Sequence, residues 1–177
     1  MNKDQIKVIA FDADDTLWSN EPFFKDVEST YCDLLCSYAD SKEVSEELFR
    51  TEMSNLQEMG YGAKAFTISM VETAIRLSKG NISANSIQFI IDLGKSLLQI
   101  PIKLLPEVKE TLKALKEKGR YKLVIATKGD LRDQENKLKR SGLLHLFDHI
   151  EVMSDKTEKE YLRLINTLQI TPNEFLM

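Results

Sequence analysis

This sequence has few cysteines, no excess of positive charge and no long apolar stretches. Only two of its 177 residues are cysteines, Cys32 and Cys36, which is too few for a disulfide framework or a zinc site. They lie four residues apart, and we interpret them as reduced thiols packed in a helical core. The formal net charge is -4, so no basic surface of the kind that binds nucleic acid is indicated.

Long apolar segments are also missing. No run approaches the roughly 20 residues that a membrane-spanning helix needs, and the amino terminus lacks the apolar stretch of a signal peptide. We therefore expect a cytoplasmic protein whose partners include neither nucleic acid nor a membrane. The length of 177 residues allows one sizeable core, or a core with a modest inserted domain.

Short apolar runs mark the strands. Residues 6–11, IKVIAF, end at the polar cluster DADDT of residues 12–16. Residues 122–127, KLVIAT, form a second run, and residues 147–152 form a third. Such runs, stopped by polar clusters, are typical of buried strands. Because helical patterns alternate with them, we expect a parallel sheet with right-handed crossovers and helices on both faces.

Helical spacing dominates residues 22–100, where four segments carry apolar residues three or four positions apart. Turn signals at residues 40–41, 60–62 and 80–81 separate these segments. This block predicts a small helical bundle inserted between the first and second strands. Beyond it, Pro106 and Gly119 mark the start and end of another helix, Gly142 the end of the next, and Thr157 a cap for the last.

Three polar clusters follow the predicted strands, at residues 12–16, 127–130 and 155–156. In an open α/β sheet, ligands bind beyond the carboxyl ends of the strands. Asp12 and Asp14 provide two carboxylates there, one able to attack phosphorus and the other to donate and accept a proton. Clustered negative charge repels a phosphate, so this chemistry requires a hard cation such as Mg²⁺, with Asp12 and Asp14 as candidate ligands.

Phosphate binding is predicted at the other two clusters. Thr127 offers a hydroxyl, Lys128 follows it as a further candidate, and the backbone N–H groups at the start of the next helix can bind phosphate oxygens. Lys156 precedes the capped helix and adds positive charge. Simpler interpretations exist: an Asp cluster is often only a turn, Thr127 alone is an ordinary strand-end residue, and Lys156 could be a solvated charge. Lys128 and Lys159 are the alternatives to Lys156 as the functional lysine.

Residues 11–18, FDADDTLW, resemble motif I of the haloacid dehalogenase-like superfamily, in which an apolar strand is followed by D-x-D-x-T. Residues 124–127, VIAT, are similar to motif II, and Lys156 in residues 154–157, SDKT, fits motif III. The resemblance implies that Asp12 is the nucleophile and Asp14 the general acid and base. It implies that Thr127 and Lys156 bind phosphate.

The same resemblance implies an architecture. We expect an α/β, Rossmann-like doubly wound parallel sheet formed by residues 1–16 and 102–177, with a helical cap domain at residues 17–101. The family has a fourth motif, an acidic loop after a further strand that lies beside the first, and this sequence ends at Met177, inside or just before that strand. We therefore expect a core that is incomplete at its carboxyl end.

The expected activity is Mg²⁺-dependent hydrolysis of a small-molecule phosphate ester through an aspartyl-phosphate, by a monomer or homodimer. Trp18, Glu21 and Tyr61 are possible substrate contacts, although packing at the hinge or a structural turn would also explain the aromatic residues. A haloacid dehalogenase or a phosphomutase on the same fold is the enzymatic alternative, although Asp14 argues against the dehalogenase. A non-catalytic binding protein is the remaining alternative.

Overall fold

The computed structural model describes residues 3–177. The chain forms two compact units, one made of residues 1–19 and 102–177 and the other of residues 20–101. The first contains every strand assigned within the described residues, and the second is helical. Between residues 3 and 177, no helix combines the length and apolar character needed to cross a membrane.

Strands and helices follow one another in the order that the sequence patterns predict. The strands are β1 (Val8–Phe11), β2 (Lys122–Lys128), β3 (His149–Met153) and β4 (Phe175–Leu176). The helices are α1 (Glu21–Leu34), α2 (Ser41–Met59), α3 (Ala63–Leu77), α4 (Ala84–Leu97), α5 (Val108–Glu117), α6 (Leu131–Ser141) and α7 (Glu158–Thr167).

The sheet is parallel, with the strand order β3-β2-β1-β4. Its central strand, β1, pairs from Val8 with Lys122 to Phe11 with Ile125, and on its other side Val8 pairs with Phe175. The last strand therefore lies beside the first, as expected. Parallel neighbours require crossover connections, and the helices provide them.

Alternate residues of the central strands pack on opposite faces. On one face Val8 and Ala10 cluster with Leu164 of α7. On the other, Ile9 and Phe11 pack against a cluster that contains Leu112 of α5 and Leu138 of α6. Because strand side chains alternate, apolar residues at consecutive positions require cover on both faces. The predicted Rossmann-like doubly wound sheet is confirmed.

Helix ends follow local backbone chemistry. Gly142 ends α6 in the left-handed conformation, at φ 71°, and Thr157 caps α7 by accepting from the Glu160 amide at 3.4 Å. The helix expected from Pro106 begins two residues later, at Val108, because Glu107 is left-handed at φ 64°. Such a residue cannot continue a right-handed helix.

The helical unit confirms the four predicted helices. α1 contacts α2 and α4, and α3 contacts the same two helices, so the four close into a ring. The Tyr31 hydroxyl on α1 donates to the Met70 carbonyl on α3 at 2.8 Å. Cys32 is buried as expected, but the same expectation was wrong for Cys36, which is exposed because α1 ends at Leu34.

Glu52 is a half-buried acid in the helical unit. Burial, with the nearby Glu28 carboxylate as the second cause, raises the pKa of Glu52 from 4.5 to about 7. Because the folded pKa lies above the unfolded one, the folded unit binds the proton more strongly. The free energy of unfolding therefore falls as the pH rises from about 4.5 to about 7.

We expect Glu52→Gln to stabilise the protein at pH 8 and to have little effect near about pH 3.5, where Glu52 is largely protonated in both states. After allowance for solvent screening, a gain of about 1 kcal/mol would raise the Tm by about 2–4 °C. Thermal unfolding at both pH values measures it. Glu58→Gln, at an exposed position of α2, is the control, and a Tm gain for Glu52→Gln that is the same at both pH values would contradict the prediction.

Candidate active site

The loop after β1 presents two carboxylates while anchoring itself in the core. Ala13, Leu17 and Trp18 are buried. The Leu17 amide donates to the Ala13 carbonyl at 2.8 Å, and the Asp15 amide donates to the Trp18 carbonyl at 2.8 Å. Asp15 adopts φ 56°, a left-handed conformation that Asp tolerates better than most residues. This tight turn leaves Asp12 and Asp14 partly exposed.

Asp12 forms an ion pair with Lys156. The Lys156 ammonium lies 2.6 Å from Asp12 Oδ2, while Asp12 Oδ1 accepts from the Ala13 amide at 2.8 Å. Lys156 follows β3 and precedes α7, so the pair joins the carboxyl ends of two strands. The Tyr161 hydroxyl of α7 is also influenced by this site, since burial and then the Asp12 charge raise the pKa of Tyr161.

Asp14 accepts hydrogen bonds at both carboxylate oxygens. Trp18 Nε1 donates to Oδ1 at 2.7 Å, and Gln134 Nε2 donates to Oδ2 at 2.7 Å. The Lys137 ammonium lies 3.2 Å from Oδ1 and 3.1 Å from Oδ2. Three side chains, two of them from α6, therefore fix the orientation of this carboxylate.

Lys137 is a buried cation between two carboxylates. Its side chain is 2% exposed, and Nζ lies 3.1 Å from Asp14 Oδ2 and 3.3 Å from Asp133 Oδ2. Burial raises the pKa of Asp133, the Lys137 ammonium opposes the rise, and Asp14 and Asp130 add to it. Removing one member of such a set leaves an uncompensated buried charge. The three side chains therefore depend on one another for charge balance.

The end of β2 leads directly into α6. Thr127 is buried, two positions beyond Ile125, the last β2 residue that pairs with β1. Lys128 ends the strand, and Asp130 caps α6 by accepting from the Asp133 amide at 3.0 Å. Thr127 and the amino end of α6 thus lie at the same carboxyl edge of the sheet as Asp12.

The predicted substrate contacts differ in position. Trp18 is 1% exposed, packs in the core cluster and donates to Asp14. Glu21 begins α1 and lies 2.7 Å from Lys25, and Tyr61 occupies the turn between α2 and α3. Both belong to the helical unit. For all three residues, contact with substrate stays a prediction.

Sequence reasoning missed Asp133, Gln134 and Lys137. The sequence motifs give a role only to the backbone at the start of the helix that ends at Gly142, yet that helix has a buried face made of these three residues and Leu138. The signal was present: α6 lies between predicted strands and offers almost no apolar side chain to the sheet. A helix that must pack but has a polar inner face buries those groups against partners.

The donors at this site suit Mg²⁺, although they do not form a full protein cage. Among residues 3–177, no group of three or more Asp, Glu, His or Cys side chains is arranged to hold a metal ion. Mg²⁺ usually binds through one or two carboxylates, with waters and substrate phosphate completing its shell. Asp12 retains a partly exposed carboxylate. Both Asp14 side-chain oxygens already accept hydrogen bonds, so Asp14 would contribute its main-chain carbonyl.

Comparison with known proteins identifies the family to which these residues belong. The model of haloacid dehalogenase-like hydrolases matches residues 6–177. The chain belongs to this family. A haloacid dehalogenase-like hydrolase from Xanthomonas campestris has a similar structure, with a TM-score of 0.90 and 37% identity over 97% of this chain and 71% of that one.

Phosphoglycolate phosphatases are among the related proteins. The enzyme of Pasteurella multocida is 29% identical over 147 residues, and that of Haemophilus influenzae is 30% identical over 146. Each match covers 82% of this chain and 62% of the relative. The haloacid dehalogenase-like chain described here thus spans less than two thirds of these proteins' length.

Gly129 allows Gln134 to approach Asp14. Its φ of 134° lies outside the region open to other residues, and a Cβ there would lie 3.3 Å from Gln134 Nε2. We expect Gly129→Ala to cost about 2–3 kcal/mol of unfolding free energy. At Gly119, φ is 62° and an added Cβ would have no described atom of another residue within 4 Å, so Gly119→Ala should lower the unfolding free energy by only about 1 kcal/mol. Chemical denaturation measures both, and equal losses would contradict the prediction.

Proposed function

We propose that this protein hydrolyses the phosphate monoester of a small molecule, with Asp12 as the nucleophile. The main support is the 2.6 Å contact between the Asp12 carboxylate and the Lys156 ammonium at the carboxyl edge of the sheet. A carboxylate beside a fixed cation can attack phosphorus while the developing negative charge is balanced. The related phosphoglycolate phosphatases support a phosphate ester as the substrate class.

The reaction would proceed in two halves. In the first, which starts with Asp14 protonated, an Asp12 oxygen attacks phosphorus, the bond from phosphorus to the leaving oxygen breaks, and Asp14 gives its proton to that oxygen. The ionised Asp14 that results is the form whose two oxygens accept hydrogen bonds in the structure. In the second, water attacks the aspartyl-phosphate and gives its proton to Asp14. Phosphate leaves, and the Asp12 carboxylate and protonated Asp14 are regenerated.

Phosphoryl oxygens would be held from two strand ends. Lys156 contributes an ammonium, Thr127 a hydroxyl, and Lys128 stands at the last position of β2. Backbone N–H groups at the start of α6 add partial positive charge. Interactions that strengthen as charge moves onto these oxygens lower the barrier rather than only binding substrate.

Mg²⁺ would be held by the Asp12 carboxylate and the Asp14 main-chain carbonyl, and when bound it neutralises phosphate charge as a Lewis acid. We assign substrate selection to the helical unit of residues 20–101, which overlaps the predicted cap domain of residues 17–101 except for residues 17–19. Glu21 and Tyr61 are its candidate contacts. 2-Phosphoglycolate is the first natural substrate to assay, because related proteins carry that activity in their names.

We expect Asp12→Asn to abolish hydrolysis of 4-nitrophenyl phosphate in the presence of Mg²⁺, since an amide is not a nucleophile at phosphorus. Lys156→Met should lower kcat by about 10²–10³-fold, the cost of losing one group that stabilises transition-state charge. Initial rates of phosphate release with and without Mg²⁺, and with 2-phosphoglycolate as a second substrate, measure both effects.

Lys159→Met is the matched control, because this exposed lysine lies three residues further along the chain. Its rates should remain within about twofold of wild type, the range expected for a surface change. Undiminished turnover in Asp12→Asn would refute the nucleophile assignment. Chloride release from 2-chloropropionate without phosphatase activity would favour the dehalogenase alternative.

A further inference from the structure

Asp14 is a partly exposed carboxylate that three neighbouring side chains contact. Its two oxygens accept short hydrogen bonds from Trp18 and Gln134, both at 2.7 Å, and longer contacts of 3.2 and 3.1 Å from the Lys137 ammonium. A carboxylate has about four acceptor positions. The arrangement therefore determines both where the carboxylate lies and which way its lone pairs point.

Attachment of α6 to the sheet does not explain these groups. Leu138 of α6 already packs in the core cluster, so the helix has an apolar anchor. A buried ammonium pays a desolvation cost that an apolar side chain of similar size avoids. Lys137 and Gln134 therefore provide something other than packing.

Gln134 gives an independent indication. Its side chain is buried, and its Oε1 has no hydrogen-bond partner within residues 3–177, while its Nε2 points at Asp14. A buried carbonyl oxygen without a hydrogen-bond partner destabilises the folded state. The Gln134 amide keeps this orientation because its N–H group donates to Asp14. Its carbonyl oxygen consequently has no partner among the described residues.

Asp133 gives Lys137 a second anionic partner. The ammonium lies 3.3 Å from Asp133 and 3.1 Å from Asp14, so it stands between two carboxylates. While Asp14 carries a proton, Asp133 still provides an anionic group beside the ammonium, so the Lys137 charge is not left unpaired in the interior. The short contacts from Trp18 and Gln134 would keep Asp14 oriented meanwhile.

We propose that Lys137 and Gln134 are positioning residues that aim the Asp14 carboxylate at the leaving oxygen, with Asp133 balancing the buried charge of Lys137. This inference rests on the proposed phosphatase function. It gives the polar face of α6 a role in the reaction. Asp14 transfers the proton, and the Lys137 and Gln134 side chains fix the position of the Asp14 carboxylate.

The dependence of the rate on the leaving group distinguishes positioning from a merely structural role. The leaving oxygen of 4-nitrophenyl phosphate departs without much help, whereas that of phenyl phosphate is more basic and needs a proton. The two substrates have nearly the same shape. The ratio kcat/KM reports substrate binding and the steps up to departure of the leaving group, so it includes the step in which Asp14 acts as an acid and excludes the one in which it acts as a base.

We expect Lys137→Met to lower kcat/KM for phenyl phosphate by about 10²-fold, within the range of general acid catalysis. For 4-nitrophenyl phosphate the loss should be less than about tenfold, and for phenyl phosphate it should lie in kcat more than in KM. Lys139→Met, at an exposed position of α6, should leave kcat/KM unchanged for both substrates. Thermal unfolding of each variant establishes that it is folded at the assay temperature.

Gln134→Met is the second variant, because Lys137→Met leaves the buried Asp133 unpaired and could unfold the protein. It removes one donor to Asp14 without removing a charge, and it should give the same leaving-group pattern with a smaller amplitude. Equal losses on both substrates, or no loss, in folded variants would overturn the inference while the phosphatase proposal stands. Failure of the wild-type protein to hydrolyse either substrate would overturn both.

Discussion

β1 is hydrogen-bonded to a parallel neighbour on each side, and it is covered by helices on each face. Four residues, Val8–Phe11, therefore fix the position of the loop that follows them. Because the register with β2 carries Phe11 beside Ile125, the chain beyond both strands emerges at one edge. The proposed nucleophile depends on that register, since a slip of one residue would exchange the two faces of the strand.

The site combines a rigid strand end with a helix that supplies charge. Asp12 is paired with Lys156, and Asp14 with Lys137. Neighbouring carboxylates repel each other, and each ammonium reduces that repulsion at close range. The Asp12–Lys156 pair is partly exposed to solvent, whereas Lys137, which contacts Asp14, is buried. One loop thus carries two acids in different environments, a common way to assign them different tasks.

The helical unit follows a different principle. Its four helices close around buried apolar side chains, and hydrogen bonds such as that from Thr73 to Thr51, at 2.7 Å, pair polar groups in its interior. Its stability is also coupled to pH through Glu52, which lies outside the α/β unit. The proposed catalytic groups, in contrast, all lie in the α/β unit.

The sequence by itself determined the element order, because apolar periodicity reports which side chains must be buried. It also singled out Asp12, Asp14, Thr127 and Lys156, whose positions follow from the rule that parallel strands end at one edge. Only the tertiary structure revealed Gln134 and Lys137, more than a hundred positions from Asp14 in the chain. A polar residue on a helix has the same local pattern whether it faces water or a buried carboxylate, and only packing against β1 and β2 decides which.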